Sequence, residues 1–205
     1  MIDETHPLLL GSGSPRRREI LGTFGLPLRV VPLDVDERLR PGEGPLPYLE
    51  RIVSDKLAAA APHAVCVGAV LVADTSVILD DVALGKPADE AEARAMLTSL
   101  AGREHEVWTR FALASGADPT RPVHAETVRT RVFFRALDAA EIEAYAATGE
   151  GLDKAGAYAI QGIGGFAVER IEGSYSNVVG LPACEVIVAL RRTGLLGRFP
   201  RPPIA

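Results

Sequence analysis

Ser12-Gly13-Ser14-Pro15-Arg16-Arg17-Arg18 lies between an apolar triplet, Leu8 to Leu10, and a segment with apolar residues at Ile20, Leu21 and Phe24. That order predicts a strand, a tight loop and the start of a helix, with Ser14 as N-cap and Pro15 as first helical residue. The unpaired backbone N–H groups of such a helix end attract anions. Three arginines in the first turn oppose the helix dipole, at roughly 0.3–1 kcal/mol each if exposed. A negatively charged ligand at this loop would explain them.

A second segment, Val65 to Ala73, is almost continuously apolar and ends abruptly in Asp74-Thr75-Ser76. Continuous apolar runs suit interior strands, and ligands of α/β sheets gather beyond the carboxyl ends of such strands. Asp74 is therefore a candidate catalytic or metal-binding acid, although alone it also fits a residue that opens a turn or caps a helix. Asp34, Asp36 and Glu37 follow the second predicted strand. Alternation turns Asp36 and Glu37 to opposite sides, so one of them would enter a site, where paired with Asp74 it could hold a divalent ion through oxygen. As a group the three acids also fit a solvated loop.

Lys56, Lys86 and Lys154 punctuate the loops and helix starts, and each alone fits a surface position. Lys86 stands out because Gly85 and Pro87 restrict the backbone around it, lowering the entropy lost on engaging an anion. Gln161 precedes Gly162, Gly164 and Gly165. Its amide offers both donor and acceptor and suits a nucleobase edge, while the glycines mark tight turns or close approach to a ligand. A hairpin turn with a solvated Gln is the alternative.

Other chemistries lack support. The Gly162 region has neither the spacing nor the position of a dinucleotide fingerprint, the Lys86 region does not match a P-loop, and no G-x-S-x-G is present. His6, His63, His105 and His124 are scattered, which leaves a Ser-His-Asp triad or a histidine metal site unsupported. With 22 basic and 27 acidic side chains the 205-residue chain carries a net charge of -5, against nucleic-acid binding through an accumulated positive surface. Cys66 and Cys184 lie in apolar runs and read as core residues. No positively charged stretch followed by an apolar core opens the sequence, and no run approaches the roughly 20 apolar residues of a membrane span. These features predict a cytoplasmic protein without a membrane partner.

Strands are predicted at Leu8–Leu10, Arg29–Pro32, Ala64–Ala73, Val77–Leu79, Glu104–Ala114, Ala125–Phe134, Ala157–Ile160, Phe166–Ile171 and Asn177–Val179. Helices are predicted at Pro15–Phe24, Pro47–Ala60, Glu90–Leu100, Ala139–Thr148 and Pro182–Arg192, the third with Asp89 as its cap and an apolar stripe of Ala91, Ala95, Met96, Leu97 and Leu100. Strands alternate with helices and then give way to a long antiparallel stretch. The fold class is therefore α/β, a mixed twisted sheet flanked by helices. Residues 1–197 read as one domain and 198–205 as a Pro-rich tail that frays.

Ordered pieces of the chain resemble the Maf family of nucleotide pyrophosphatases, from Leu8 to about Leu190. They are Ser12-x-Ser14-Pro15-Arg16-Arg17, Asp36-Glu37, Lys56, Ala73-Asp74-Thr75, Gly85-Lys86-Pro87, Gly102-x-x-His105-x-Val107, the run from Asp153 to Gly162, and Val179-Gly180-Leu181-Pro182. Gly11, where the family often has alanine, and Gly151, where proline is common, are departures expected to loosen nearby loops.

The resemblance implies two lobes around a cleft, in a fold related to inosine triphosphate pyrophosphatases. It also implies cleavage of a nucleoside triphosphate between its α and β phosphates with Mg²⁺ or Mn²⁺. It assigns Asp74 as general base or metal ligand, Glu37 to the metal, and Arg16, Lys56 and Lys86 to the triphosphate, with Ser12 and the backbone near Ser14 adding hydrogen bonds. Thr75 and Gln161 also fall at the substrate, as does Arg17 as a helper of Arg16 beside a solvated Arg18, and Arg16, Thr75 and Gln161 match the branch that hydrolyses dTTP and UTP, possibly with modified pyrimidine nucleotides. The alternatives are the 7-methyl-GTP branch and a septum-formation regulator acting by binding. A homodimer is also implied.

Overall fold

The computed structural model describes residues 1–200. Along the chain run β1 (Leu8–Gly11), α1 (Pro15–Gly22), β2 (Leu28–Val31), α2 (Pro45–Ala60), β3 (Ala69–Leu79), β4 (Val82–Leu84), α3 (Glu90–Leu100), β5 (Glu104–Ser115), β6 (Asp118–Phe134), α4 (Ala139–Ala147), β7 (Val168–Glu172), α5 (Tyr175–Val179) and α6 (Ala183–Arg192). Helix starts follow local chemistry. Ser14, Asp89 and Ser174 each accept from a backbone N–H of the first turn of α1, α3 and α5, and Asp138 with Glu141 forms a reciprocal capping box on α4. Pro15 occupies the first turn of α1, where its missing N–H costs nothing.

The seven strands form one mixed sheet in the order β2-β1-β3-β5-β6-β7, with β4 paired to β3. β1 runs parallel to β2 and β3, whereas the pairs β3–β4, β3–β5, β5–β6 and β6–β7 are antiparallel. The long strands β3, β5 and β6 are shared by two apolar cores. One packs Leu8, Leu10, Leu71, Phe111 and Leu113 against Leu21 of α1 and Leu190 of α6. The other packs Val77, Val107, Val132 and Phe134 against Leu97, Leu100 and Tyr145 of α3 and α4. On the opposite face, α2 covers Leu9, Val70 and Val72 with Val53 and Leu57. Fully burying each such aliphatic side chain contributes about 1.5–3 kcal/mol.

Several expectations need correction. The strand predicted to begin at Ala64 begins at Ala69. Val65 is 67% exposed and Cys66 adopts φ 53°, so the apolar run opens as a turn. The strand also passes through Asp74 without a break and absorbs the separate strand predicted at Val77–Leu79, because β5 pairs with it from Ala69 to Ile78. A tight Asp80–Asp81 turn, both residues at positive φ, leads into β4, which the sequence reading missed. Ala157–Ile160 is not a strand: Ala155–Ala157 is a short 3-10 turn followed by irregular chain. Asn177–Val179 is helical within α5, set by the Ser174 cap and stopped by Gly180 at φ 130°.

Both cysteines are exposed rather than in the core, Cys66 on the turn and Cys184 on α6. Gly11 and Gly151 are places of close approach rather than loose hinges. A Cβ on Gly11 would lie 2.7 Å from Leu33 Cδ1, and one on Gly151 would lie 2.0 Å from the Ala157 carbonyl oxygen. In the segment predicted to fray, Phe199 is partly buried and packs edge-on against Phe24, their centroids 5.8 Å apart. The rest of that tail, 201–205, lies outside the described residues.

Candidate active site

β1 ends at Gly11, opposite Val72, and β4 does not join the same edge of β3 until Val77. Residues Ala73 to Ser76 therefore lack a strand partner on that side, and a cleft of about 650 Å³ opens there. That volume suits a small ligand. Asp74 sits inside a strand, not beyond its end, yet just past the carboxyl end of the parallel neighbour β1. Asp74 nonetheless lines the cleft.

α2 presents Leu49, Ile52, Val53, Lys56, Leu57 and Ala60 on its buried stripe, so Lys56 is a cation at an apolar-spaced position. Its ammonium donates to Asp74 Oδ1 at 2.7 Å and meets Glu37 Oε1 at 2.7 Å. Lys86 Nζ reaches Glu37 Oε2 at 3.5 Å from the exposed side of the cleft. The result is an alternating row, Asp74, Lys56, Glu37, Lys86. Burial pushes the Glu37 carboxyl up, but the hydrogen bond and charge of Lys56, with the charge of Lys86, outweigh it and hold the group below the usual carboxylate range. Asp36 turns away and pairs with Arg38 on the surface, as alternation predicted. Asp34 is also exposed.

The three arginines separate by placement. Arg17 is buried and turns inward: Nε donates to the Gly180 carbonyl at 2.8 Å, Nη1 to Ser12 Oγ at 3.1 Å and the Ala73 carbonyl at 2.9 Å, and Nη2 to Thr75 Oγ1 at 3.1 Å. Burial pulls its pKa down, opposed by the charge of Asp74. Ser12 Oγ also accepts from Ser14 N–H at 3.2 Å. Arg16 is half-buried, donates from Nε to the Val179 carbonyl at 3.2 Å and lines the cleft. Arg18 is exposed. Thr75 Oγ1 is further engaged with Thr109 Oγ1 at 2.8 Å and the Gly180 carbonyl at 3.2 Å, so its hydroxyl knits β3 to β5 and the α5–α6 turn.

Across the cleft, Gln161 is exposed on the irregular loop after Tyr158 and lines the opening with Ile160 and Ala159. Lys154, one of the three lysines noted in the sequence, instead ties down its own loop by donating to the Glu150 carbonyl at 2.7 Å and pairing with Asp153. Two contributors escaped the sequence reading. Tyr48 of α2 lines the cleft and donates its hydroxyl to the Glu37 carbonyl at 3.0 Å, fixing the backbone that presents the carboxylate. Burial, with the nearby charges of Asp74 and Glu37, raises its pKa. Glu150 anchors the Gln161 loop, and its only sequence signal was its place three residues before the Asp153–Gly162 run.

Residues 7–193 match the family described as Maf-like protein. This chain belongs to the Maf family. Among its relatives, a protein of Anaeromyxobacter dehalogenans named dTTP/UTP pyrophosphatase is 50% identical over 195 residues, covering 95% of this chain and 96% of the relative. Another of that name, from Myxococcus xanthus, is 50% identical over 192 residues, covering 92% of this chain and 93% of the relative. Among solved structures, a nucleoside-triphosphatase / dITP/XTP pyrophosphatase from Mycobacterium abscessus is 14% identical, with a TM-score of 0.38 over 64% of this chain and 74% of its own, too distant to bear on the site.

The Maf cleft is thus walled by cations on both sides of two carboxylates. Among the described residues, no three His, Cys, Asp or Glu side chains gather as a closed metal cage. Glu37 and Asp74 are hard oxygen donors beside an open cleft, the partial set that Mg²⁺ or Mn²⁺ accepts when phosphate oxygens and water complete the shell. No helix among the described residues is long and apolar enough to cross a membrane.

Proposed function

We propose that this chain hydrolyses dTTP and UTP to the nucleoside monophosphate and pyrophosphate, using a divalent cation held by Glu37 and Asp74. The observation that carries the reading is the row Asp74, Lys56, Glu37, Lys86 along the unpartnered edge of β3, facing the start of α1 and Arg16. The names of relatives at about half identity over nearly the full chain support the pyrimidine substrates.

The residues divide the work. Arg16 and Lys86 hold phosphate oxygens and spread the charge that grows during attack. Asp74 takes the proton of a water that attacks the α phosphorus, while the bond to the bridging oxygen breaks and pyrophosphate leaves. Lys56 fixes both carboxylates in direction, and Gln161 reads the edge of the base. The cation, when bound, neutralises phosphate charge and lowers the pKa of water.

The test is pyrophosphate release from dTTP, UTP, CTP and 7-methyl-GTP by one preparation with Mg²⁺ or Mn²⁺ and with chelator. Fastest turnover of dTTP and UTP, lost on chelation, is expected. Faster cleavage of 7-methyl-GTP would reassign the substrate, and no release from any nucleotide would leave a binding role in its place. We also infer a cytoplasmic homodimer, supported by family resemblance; light scattering coupled to size exclusion checks the dimer.

A further inference from the structure

The loop carrying Gln161 runs without regular structure from Tyr158 to Gly162 and then enters a short 3-10 turn, Ile163–Ala167, that contains Gly164 and Gly165. Such a segment has much backbone freedom to lose, so a side chain meant to discriminate between bases needs the loop held from outside. Glu150 supplies that hold. Its Oε1 accepts from Ile163 N–H at 2.9 Å, and its Oε2 accepts from Gly164 N–H at 2.9 Å and from the Tyr145 hydroxyl at 2.8 Å. Tyr145 Oη in turn accepts from Ala159 N–H at 3.2 Å, so the bracket grips the loop on both sides of Gln161.

The glycines fit the bracket. A Cβ on Gly162 would lie 1.9 Å from Glu150 Oε1, and one on Gly164 would lie 2.5 Å from the Tyr145 hydroxyl. The backbone that carries this carboxylate is fixed as well. Lys154 Nζ donates to the Glu150 carbonyl at 2.7 Å, and Glu150 N–H donates to Thr148 Oγ1 at 3.2 Å. Hydrogen bonds from Gly164, Ile163 and Tyr145 outweigh burial and keep the Glu150 carboxyl ionised, below its ordinary range. An amide could not replace it, because it has one acceptor oxygen and would turn an NH₂ toward a backbone N–H.

We infer that Glu150 is a positioning residue for nucleobase selection: its carboxylate fixes the Gln161 loop, and its loss relaxes discrimination between bases more than it slows hydrolysis. The inference rests on Gln161 reading the base.

The experiment compares kcat and KM for dTTP, UTP and CTP in the wild type, Glu150→Gln, Gln161→Ala and the double variant, with Tyr145→Phe as a milder break of the same bracket. Glu150→Gln is expected to lower the dTTP-to-CTP ratio of kcat/KM about tenfold through KM, with kcat within about threefold. Tyr145→Phe should move the ratio in the same direction by less, and Glu150→Gln should add nothing further once Gln161 is Ala. An unchanged ratio with kcat lowered equally on every nucleotide, or a full additional loss in the double variant, would overturn the assignment. If Gln161→Ala itself leaves the ratio unchanged, the base-reading role of Gln161 falls, and Glu150 with it. A wild type that cleaves none of the nucleotides overturns the proposed activity and this inference together.

Discussion

Arg17 Nη2 lies 3.1 Å from Thr75 Oγ1, one of four hydrogen bonds by which a buried guanidinium closes the gap between the start of α1, the exposed edge of β3 and the turn after α5. Arg16, one residue earlier, has a single backbone acceptor and faces the cleft. Adjacent arginines of one motif therefore have different duties.

Arg17→Lys should lower stability by about 2–3 kcal/mol, since a point-charge ammonium cannot reach four acceptors arranged for a planar fork. Arg16→Ala should leave stability within about 0.5 kcal/mol and raise KM for nucleotide instead. Thermal unfolding beside steady-state kinetics on both variants checks the split. Equal losses of stability would refute it.

Lys56→Met leaves the Asp74 carboxylate buried without its cation. Removing one partner of a buried pair costs about 3 kcal/mol or more, so denaturant unfolding should show a drop of that size. Turnover should fall by at least about 100-fold at saturating substrate because both carboxylates lose their fixed orientation. A stable, active Lys56→Met protein would remove Lys56 from the site.

Lys86 is a different case, with its side chain 61% exposed. An exposed pair of this kind contributes at most about 1 kcal/mol, so Lys86→Ala should melt with the wild type. Its loss should still depress kcat/KM for dTTP, UTP and CTP by similar factors, about 10-fold or more, since the missing charge faces phosphate rather than base. A change confined to one nucleotide in parallel assays would contradict that placement.

His105 is buried against Phe134 and Tyr158, its Nε2 2.8 Å from the Tyr158 hydroxyl, and burial pulls its pKa from 6.5 down to about 4. The unfolded chain binds this proton more readily than the folded one. Stability is thus fully present above about pH 6.5 and is lost as pH falls toward 4, by about 3 kcal/mol at the low end. Denaturant midpoints between pH 5.5 and 6.5, above the usual carboxylate range, should decline in the wild type and flatten in His105→Gln. Parallel slopes would mean that another group controls the window.

The sequence made the chemistry more legible than the sheet. Ser14, Pro15 and Asp89 act locally, through the first turn of their own helices, so their roles could be read in advance. Glu90–Leu100 matches in both bounds because its apolar stripe and cap agree. β3 was misplaced at both ends because its extent is set by β5, distant in sequence, and apolar residues 64–67 look the same in a turn as in a strand. Asp74 follows from its position and Glu37 from the family resemblance, but their shared ammonium needed the fold, although Lys56 at a core spacing of α2 was a signal available in the pattern. Arg17 and Thr75 were read as substrate contacts, and no local rule could show that most of the guanidinium donors end on carbonyls and hydroxyls from remote segments.

The four partnerless residues of β3, Ala73 to Ser76, carry one more implication. A strand with unpaired backbone invites another chain to add to it, and such exposure is a common route to aggregation. Here the vacant stretch is about 13 Å long at the usual rise per residue, shorter than an ordinary strand of about 17–20 Å. β1 and β4 close it at either end, and Arg17 already occupies the Ala73 carbonyl. The gap is too short to template a foreign strand, so this edge of β3 stays open to a small ligand without offering a place for strand addition.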